Sequence, residues 1–219
     1  QKIIDLWSTE YGLDATKALV HHQPFSVPKV QRVPAKAYTK DRPVRILWAA
    51  HIRKEKNPLT YRKVAESLIN DPRFSFTAFG ALDKAHYPFN PFVRPPLQNL
   101  HYKGGYKNFQ KDVNPDDYDL FMYTSLADGT PNILIEAGMA ELPIVTSGVG
   151  GIKKLIGTDG TIIEPAENVE AYVRELQAFA QNPSDLLKQA TAFKKRLIKT
   201  QTMDSFESEV EYMLKMVKY

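Results

Sequence analysis

The sequence contains no cysteine. Disulfides and thiol catalysis are therefore excluded, and a zinc site would have to be built from histidine and carboxylates alone. It has no run of about 18 apolar residues, the length a membrane-spanning helix needs. It shows no signal peptide, no Walker loop, no serine-centred nucleophile elbow and no internal repeat. Charge of one sign is also scarce. The net charge is +4 and the pI about 9.0, a mild excess that suits a phosphate-bearing ligand, an anionic membrane surface or no special partner. We expect no nucleic-acid partner. What is present is ordinary for a globular chain of 219 residues, with 43% hydrophobic and 25% charged side chains. That is one large domain with room for a core. The chain opens at Gln1 rather than Met, which leads us to expect a piece of a longer protein.

Three regions differ in pattern. Residues 1–43 form a mixed, proline-containing lead-in. Residues 44–182 alternate strand-length apolar runs with helix-like segments. The runs are Val44 to Ala50, Phe74 to Phe79, Leu120 to Tyr123, Ile144 to Thr146 and Thr161 to Ile163. The helical segments are Leu59 to Ile69, Ile133 to Ala140 and Val169 to Phe179. Apolar strands alternating with helices predict an α/β fold, a Rossmann-like doubly wound parallel sheet covered on both faces. Residues 183–219 read as C-terminal helices. Lys188, Lys194, Lys195, Arg196 and Lys199 make one of them basic, either a solvated face or a peripheral membrane contact.

The chemistry is concentrated at strand ends. After the run ending at Tyr123 comes Asp128-Gly129-Thr130-Pro131-Asn132, then a helix. Thr130 is a good N-cap and Pro131 suits the first helical position. The N–H groups of Asn132, Ile133 and Leu134 then fall in the first turn, where intrahelical acceptors are lacking. With the helix dipole they form an anion site at the carboxyl end of a parallel strand. Glu136 interrupts an otherwise apolar helix and lies on the side of Asn132 and Ile133. A carboxylate there must be hydrogen-bonded or paired, and ribose hydroxyls or a structural ion pair would satisfy it. After the first strand come His51, Arg53, Lys54 and Lys56, a solvated basic loop or a clamp for a diphosphate. Glycines follow other strands: Gly148, Gly150 and Gly151, Gly80, and Gly104-Gly105 after Tyr102, each permitting close approach of backbone to a ligand. Asp117-Tyr118-Asp119 reads as a turn entering a strand rather than a metal motif. His21-His22 and His101 lack partners at metal-ligand spacing.

The stretch from Asp128 to Val145 resembles the signature of the group 1 family of retaining glycosyltransferases of GT-B fold. That signature is an acid, seven residues and a second acid, here Asp128 and Glu136, with Gly129-Thr130-Pro131-Asn132 intact. Ala50-His51-Ile52 through Lys56 is similar to the family's Gly-Arg-Leu…Lys segment. Gly150-Gly151-Ile152 and Gly160 to Pro165 match later positions. The resemblance covers roughly residues 44–182. It departs in three places: His51 stands for an arginine, Asp128 for a glutamate, and Lys154 for an acid.

The resemblance implies the C-terminal, donor-binding half of such an enzyme, transferring a hexose from a nucleotide diphosphate sugar with retention to a glycan or glycolipid in polysaccharide biosynthesis. It implies that Lys56 and Asp128 are the catalytic residues, Lys56 binding the diphosphate and Asp128 approaching the donor sugar. Glu136 would accept hydrogen bonds from the ribose, with His51 or Arg53 near the phosphates. Backbone from Gly129 through Leu134 would contact sugar and phosphate, and backbone near Tyr102 and Gly104 the base. No metal or other cofactor is implied. An N-terminal domain, of which residues 1–43 would be the end and the linker, would complete the cleft with the nucleotide-sugar-binding domain of residues 44–182, so the chain alone is expected not to transfer sugar at a useful rate. The implied location is cytoplasmic, with the inner membrane face as the place for any peripheral contact. Two other readings keep the fold: a non-catalytic nucleotide-binding or interaction module, and a sugar-nucleotide epimerase, against which Gly129-Thr130-Pro131-Asn132 argues.

Overall fold

The computed structural model describes residues 9–12, 14, 23–30, 33, 35, 37–85 and 87–217. The Ala18-Leu19-Val20 run and the His21-His22 pair lie outside them. The chain divides into two compact units, residues 27–198 and residues 1–26 with 199–219. Residues 27–43 and 183–198 thus belong to the same unit as the sheet.

The larger unit is built on six strands: β1 (Val44–Ala49), β2 (Phe74–Phe79), β3 (Leu100–Tyr102), β4 (Leu120–Tyr123), β5 (Ile144–Ser147) and β6 (Thr161–Ile163). The order across the sheet is β3-β2-β1-β4-β5-β6, and every pairing is parallel. β4 and β5 are buried at every position, as a sheet covered on both faces requires. The five expected strands are present within one residue of their expected ends. β3, expected only as a strand end before Gly104-Gly105, completes the edge. Four helices follow in this unit: α1 (Pro58–Ser67), α2 (Asn132–Met139), α3 (Ile152–Ile156) and α4 (Val169–Gln181). α5 (Ser184–Thr200) and α6 (Met203–Val217) are the expected C-terminal helices.

The core packs by aromatic interdigitation as well as aliphatic burial. Trp48 of β1 meets Phe92 edge-on at 5.1 Å, and Tyr61 of α1 meets Phe76 at 5.6 Å. Tyr61 is fully buried and donates its hydroxyl to the carbonyls of Ile46 and Thr77, 2.9 and 3.0 Å away. These bonds offset the cost of taking the hydroxyl out of water.

The decisive feature for function is the strand order. The chain builds β1, β2 and β3 outward in one direction, then returns past β1 to lay down β4 on its other side. The connections that follow β1 and β4 therefore run to opposite sides of the sheet, and β1–β4 is the topological switch point at which open α/β sheets place a ligand crevice.

The basic helix is less free than its sequence suggests. Lys194 of α5 pairs with Glu141 at 3.2 Å. Arg196 pairs with Asp159 at 2.7 Å and donates to the carbonyls of Leu155 and Ile156 at the end of α3. These two cations neutralise partners and cap a helix C-terminus. Lys188, Lys195 and Lys199 remain exposed. No helix among the described residues is long and apolar enough to cross a membrane.

Candidate active site

Two loops meet over the β1–β4 crevice. The first follows β1 and contains a single 3₁₀ turn, Lys54–Lys56. It ends on Asn57, which adopts φ +48° and caps α1, its Oδ1 accepting from the Thr60 N–H. Asparagine tolerates this left-handed conformation, and Pro58 then opens the helix. The second loop follows β4 and runs from Thr124 to Pro131.

Buried hydroxyls stitch the loops together. Thr124 Oγ1 donates to the Asn57 carbonyl at 2.9 Å and receives Trp48 Nε1 at 3.3 Å. Ser125 Oγ donates to the Glu55 carbonyl at 2.8 Å, and Leu126 N–H reaches the same carbonyl at 2.7 Å. Ser147 Oγ at the end of β5 donates to the Ser125 carbonyl at 2.6 Å. Thr124, Ser125 and Ser147 have no exposed surface. Their bonds form away from water, where an unmade bond would be costly.

This scaffold brings Lys56 and Asp128 together. Lys56 Nζ lies 2.5 Å from Asp128 Oδ2, and the Tyr123 hydroxyl donates to the same oxygen at 2.6 Å. The ammonium also lies 5.9 Å from the centre of the Tyr123 ring. Side-chain exposures of 23% and 13% make this a sheltered ion pair with one open side. Oδ1 of Asp128 has no partner among the described residues. Burial and the neighbouring carboxylate push the Tyr123 hydroxyl far above its ordinary pKa, so it serves as a hydrogen-bond donor at neutral pH.

The glycines of 148–151 act differently from expectation. A Cβ on Gly150 would stand 1.8 Å from the Asp128 carbonyl oxygen, and one on Gly151 would stand 2.2 Å from that of Gly129. Gly150 also has φ +54°, a conformation side chains disfavour. The close backbone approach is therefore to the protein's own Asp128-Gly129 peptide, held by the Gly151 N–H to Asp128 carbonyl bond of 3.3 Å. Gly129 and Thr130 remain exposed.

The start of α2 also departs from expectation. The helix begins at Asn132, with Pro131 in the N-cap position at ψ 119° and no side-chain cap. Thr130 does not cap, because the extended Pro131 inserts one residue between it and the helix; its Oγ1 lies beside Gly151 instead. The Leu134 N–H is taken by the Pro131 carbonyl at 3.0 Å, while that of Ile133 has no backbone acceptor among the described residues. The first turn of α2 thus offers fewer than the three free donors expected for an anion site. Pro131, Ile133 and Leu134 are buried and Asn132 is exposed.

Glu136 is half-buried and has no hydrogen-bond or ion-pair partner among the described residues. Partial burial raises its pKa, as losing some of its water does for a carboxylate. The remaining expected residues divide. His51 is exposed just beyond β1. Arg53 is drawn to Asp83 at 2.6 Å and to Glu55 at 3.5 Å, so its charge is already matched. The Tyr102 hydroxyl donates to the Gly80 carbonyl at 2.7 Å and its ring stacks on Phe92. Gly104, at φ +88°, accepts from the Gly80 N–H at 2.7 Å. Asp119 is buried and binds Arg45 through backbone and guanidinium at 2.9 Å. It follows the 3₁₀ turn Pro115–Asp117, as a turn entering β4 should.

Comparison with known proteins can now be set against this geometry. Residues 44–182 match the family model described as "Glycosyl transferases group 1". The chain belongs to this family. The O-antigen biosynthesis glycosyltransferase WbnH of Escherichia coli is 31% identical over 118 residues, 52% of this chain and 33% of that protein. This group 1 chain therefore spans about a third of the length of the curated relatives it matches. Among solved structures, a glycosyltransferase from Rickettsia africae ESF-5 superposes with TM-score 0.74 at 16% identity, covering 99% of this chain and 62% of that one. The C-terminal domain of a group 1 family glycosyl transferase (LpcC) from Francisella tularensis gives 0.63 at 16%, covering 78% and 95%. The pneumococcal O-GlcNAc transferase GtfA, solved with UDP and GlcNAc, gives 0.67 at 15%, covering 99% and 43%. The architecture is the Rossmann-like half of a GT-B glycosyltransferase.

Proposed function

We propose that this chain is the donor-binding part of a retaining hexosyltransferase that uses a nucleotide diphosphate sugar and serves a glycan or glycolipid acceptor. The observation that carries the reading is the placement of Lys56, Asp128 and Glu136 around the switch-point crevice. Lys56 offers a cation for the diphosphate and for the charge that develops on it as the glycosidic bond breaks. Asp128 offers its open Oδ1 towards the sugar. Glu136 offers an unsatisfied acceptor for ribose hydroxyls. The residues present need no metal for these roles, since Lys56 and the first turn of α2 supply the positive potential. Family membership and the UDP complex of a structural neighbour support the same reading. The polysaccharide pathway of the curated relatives makes O-antigen-type glycans the natural product class, assembled at the cytoplasmic face of a membrane.

Transfer itself is assigned to the chain together with an N-terminal GT-B domain, which supplies the acceptor side. The Lys56–Asp128 pair favours one second reading, a module that binds nucleotide without transfer, because each charge already neutralises the other. Calorimetric titration with UDP, GDP and ADP tests the main proposal. One nucleotide should bind selectively, and Lys56→Ala and Glu136→Ala should each weaken it at least tenfold. Binding that ignores both substitutions would refute the site.

A further inference from the structure

Two donors converge on one oxygen of Asp128, and they differ in kind. The Lys56 ammonium stands at the end of a flexible four-carbon stem and is partly exposed. The Tyr123 phenol is anchored. Its residue is buried at the end of β4, its ring stacks on Phe121 with centroids 6.2 Å apart, and a tyrosine has only two side-chain torsions. The Asp128 backbone is clamped as well. The Gly151 N–H binds its carbonyl, and a Cβ on Gly150 would collide with the same oxygen. With the peptide fixed, the direction of the carboxylate is set by whatever holds Oδ2. In this structure both donors hold it. A diphosphate beside Lys56 changes that balance, because phosphate oxygens compete for the same ammonium. Lys56 is free to swing to them on its stem, whereas the Tyr123 ring is locked in the core.

We propose that Tyr123 is a positioning residue for Asp128: when the donor diphosphate draws Lys56 away, the phenol alone keeps Oδ2 in place and Oδ1 open to the sugar. The ion pair then does not consume both charges, since the phenol takes over from the ammonium at the oxygen they share. The inference rests on the donor-site reading above and deepens it. Tyr123 acts through Asp128 and touches no reacting atom.

Calorimetry on the chain tests this with UDP, GDP and ADP, each beside its hexose conjugates. The quantity measured is the gain in affinity that the hexose adds to the bare nucleotide. Asp128→Ala should abolish that gain. Tyr123→Phe keeps the ring in the core. It should hold affinity for the bare nucleotide within about twofold and cut the hexose gain about fivefold, as loss of one hydrogen bond does. A residue that only props up the fold would lower both affinities together, and that outcome would overturn the inference. So would a hexose gain that Tyr123→Phe leaves intact while Asp128→Ala removes it; the donor site would then stand without Tyr123. A gain that survives Asp128→Ala, or no gain with any conjugate, would remove Asp128 from the sugar and the inference with it.

Discussion

Asp128 shows how much of this site is set by single side chains. Its Oδ2 takes hydrogen bonds from both Lys56 and Tyr123, which fixes the carboxylate and leaves Oδ1 open. Tyr123→Phe removes one of the two while keeping the ring. We expect a loss of about 1 kcal/mol in stability, read by denaturant unfolding, and a change in the geometry of Asp128 that lowers transfer by the intact enzyme more than it lowers nucleotide affinity. Glu136 makes a sharper prediction, because burial raises its pKa with nothing to offset it. For an acid the sign is plain: the native state resists ionisation, so stability falls as pH rises from the unfolded pKa through the folded one, and the penalty persists at neutral pH. Glu136→Gln should therefore raise the melting temperature at pH 7 while weakening nucleotide binding. Affinity should also decline on acidification from above the ordinary glutamate range, and Glu136→Gln should flatten that decline. A glutamate held by a structural ion pair would give the reverse, a destabilised variant. Glu136 was legible because a carboxylate interrupts an apolar helix, and Lys56 and Asp128 because they fall on positions of the family signature. Tyr123, Thr124 and Ser125 were not, because a tyrosine at a strand end and small hydroxyl residues in the loop after it are common. Only their partners, Asn57 for Thr124 and Glu55 for Ser125 across 67 and 70 positions of sequence and Asp128 for Tyr123, reveal the network.

At the scale of elements, the strands were legible almost to their ends, since a sheet buried on both faces writes itself as continuous apolar runs. Local helix signals were weaker. Thr130 and Pro131 form a good start signal, yet the extended Pro131 shifts α2 by one residue. Gly150-Gly151 was read correctly as a close approach and wrongly as an approach to ligand, because the 128–129 peptide fills that space. Gly150→Ala should accordingly cost about 2 kcal/mol, from forced displacement and an unfavourable φ, and should weaken nucleotide binding through Asp128. An unchanged melting temperature would contradict the packing described. The basic helix α5 separates in the same way. Lys194→Ala breaks the pair with Glu141 and should cost about 1 kcal/mol, while the exposed Lys195→Ala should stay within about 0.5 kcal/mol. Equal effects would mean that α5 is charged for solvation alone.

At the scale of the whole molecule, the order β3-β2-β1-β4-β5-β6 explains why the site is where it is. Two loops that are far apart in sequence leave the sheet side by side, and their facing residues include the Lys56–Asp128 ion pair. The amino ends of the same strands carry a cavity of about 550 Å³ lined by Lys40, Asp71, Asn99 and His101 among others, which offers a built-in comparison. Hydrogen–deuterium exchange of the chain, free and saturated with its preferred nucleoside diphosphate, reads both ends in one measurement. Slowed exchange confined to residues 51–57, 104–106 and 126–136 is the outcome the account predicts. Protection at residues 69–75 and 98–101, with none at the carboxyl ends, would contradict it.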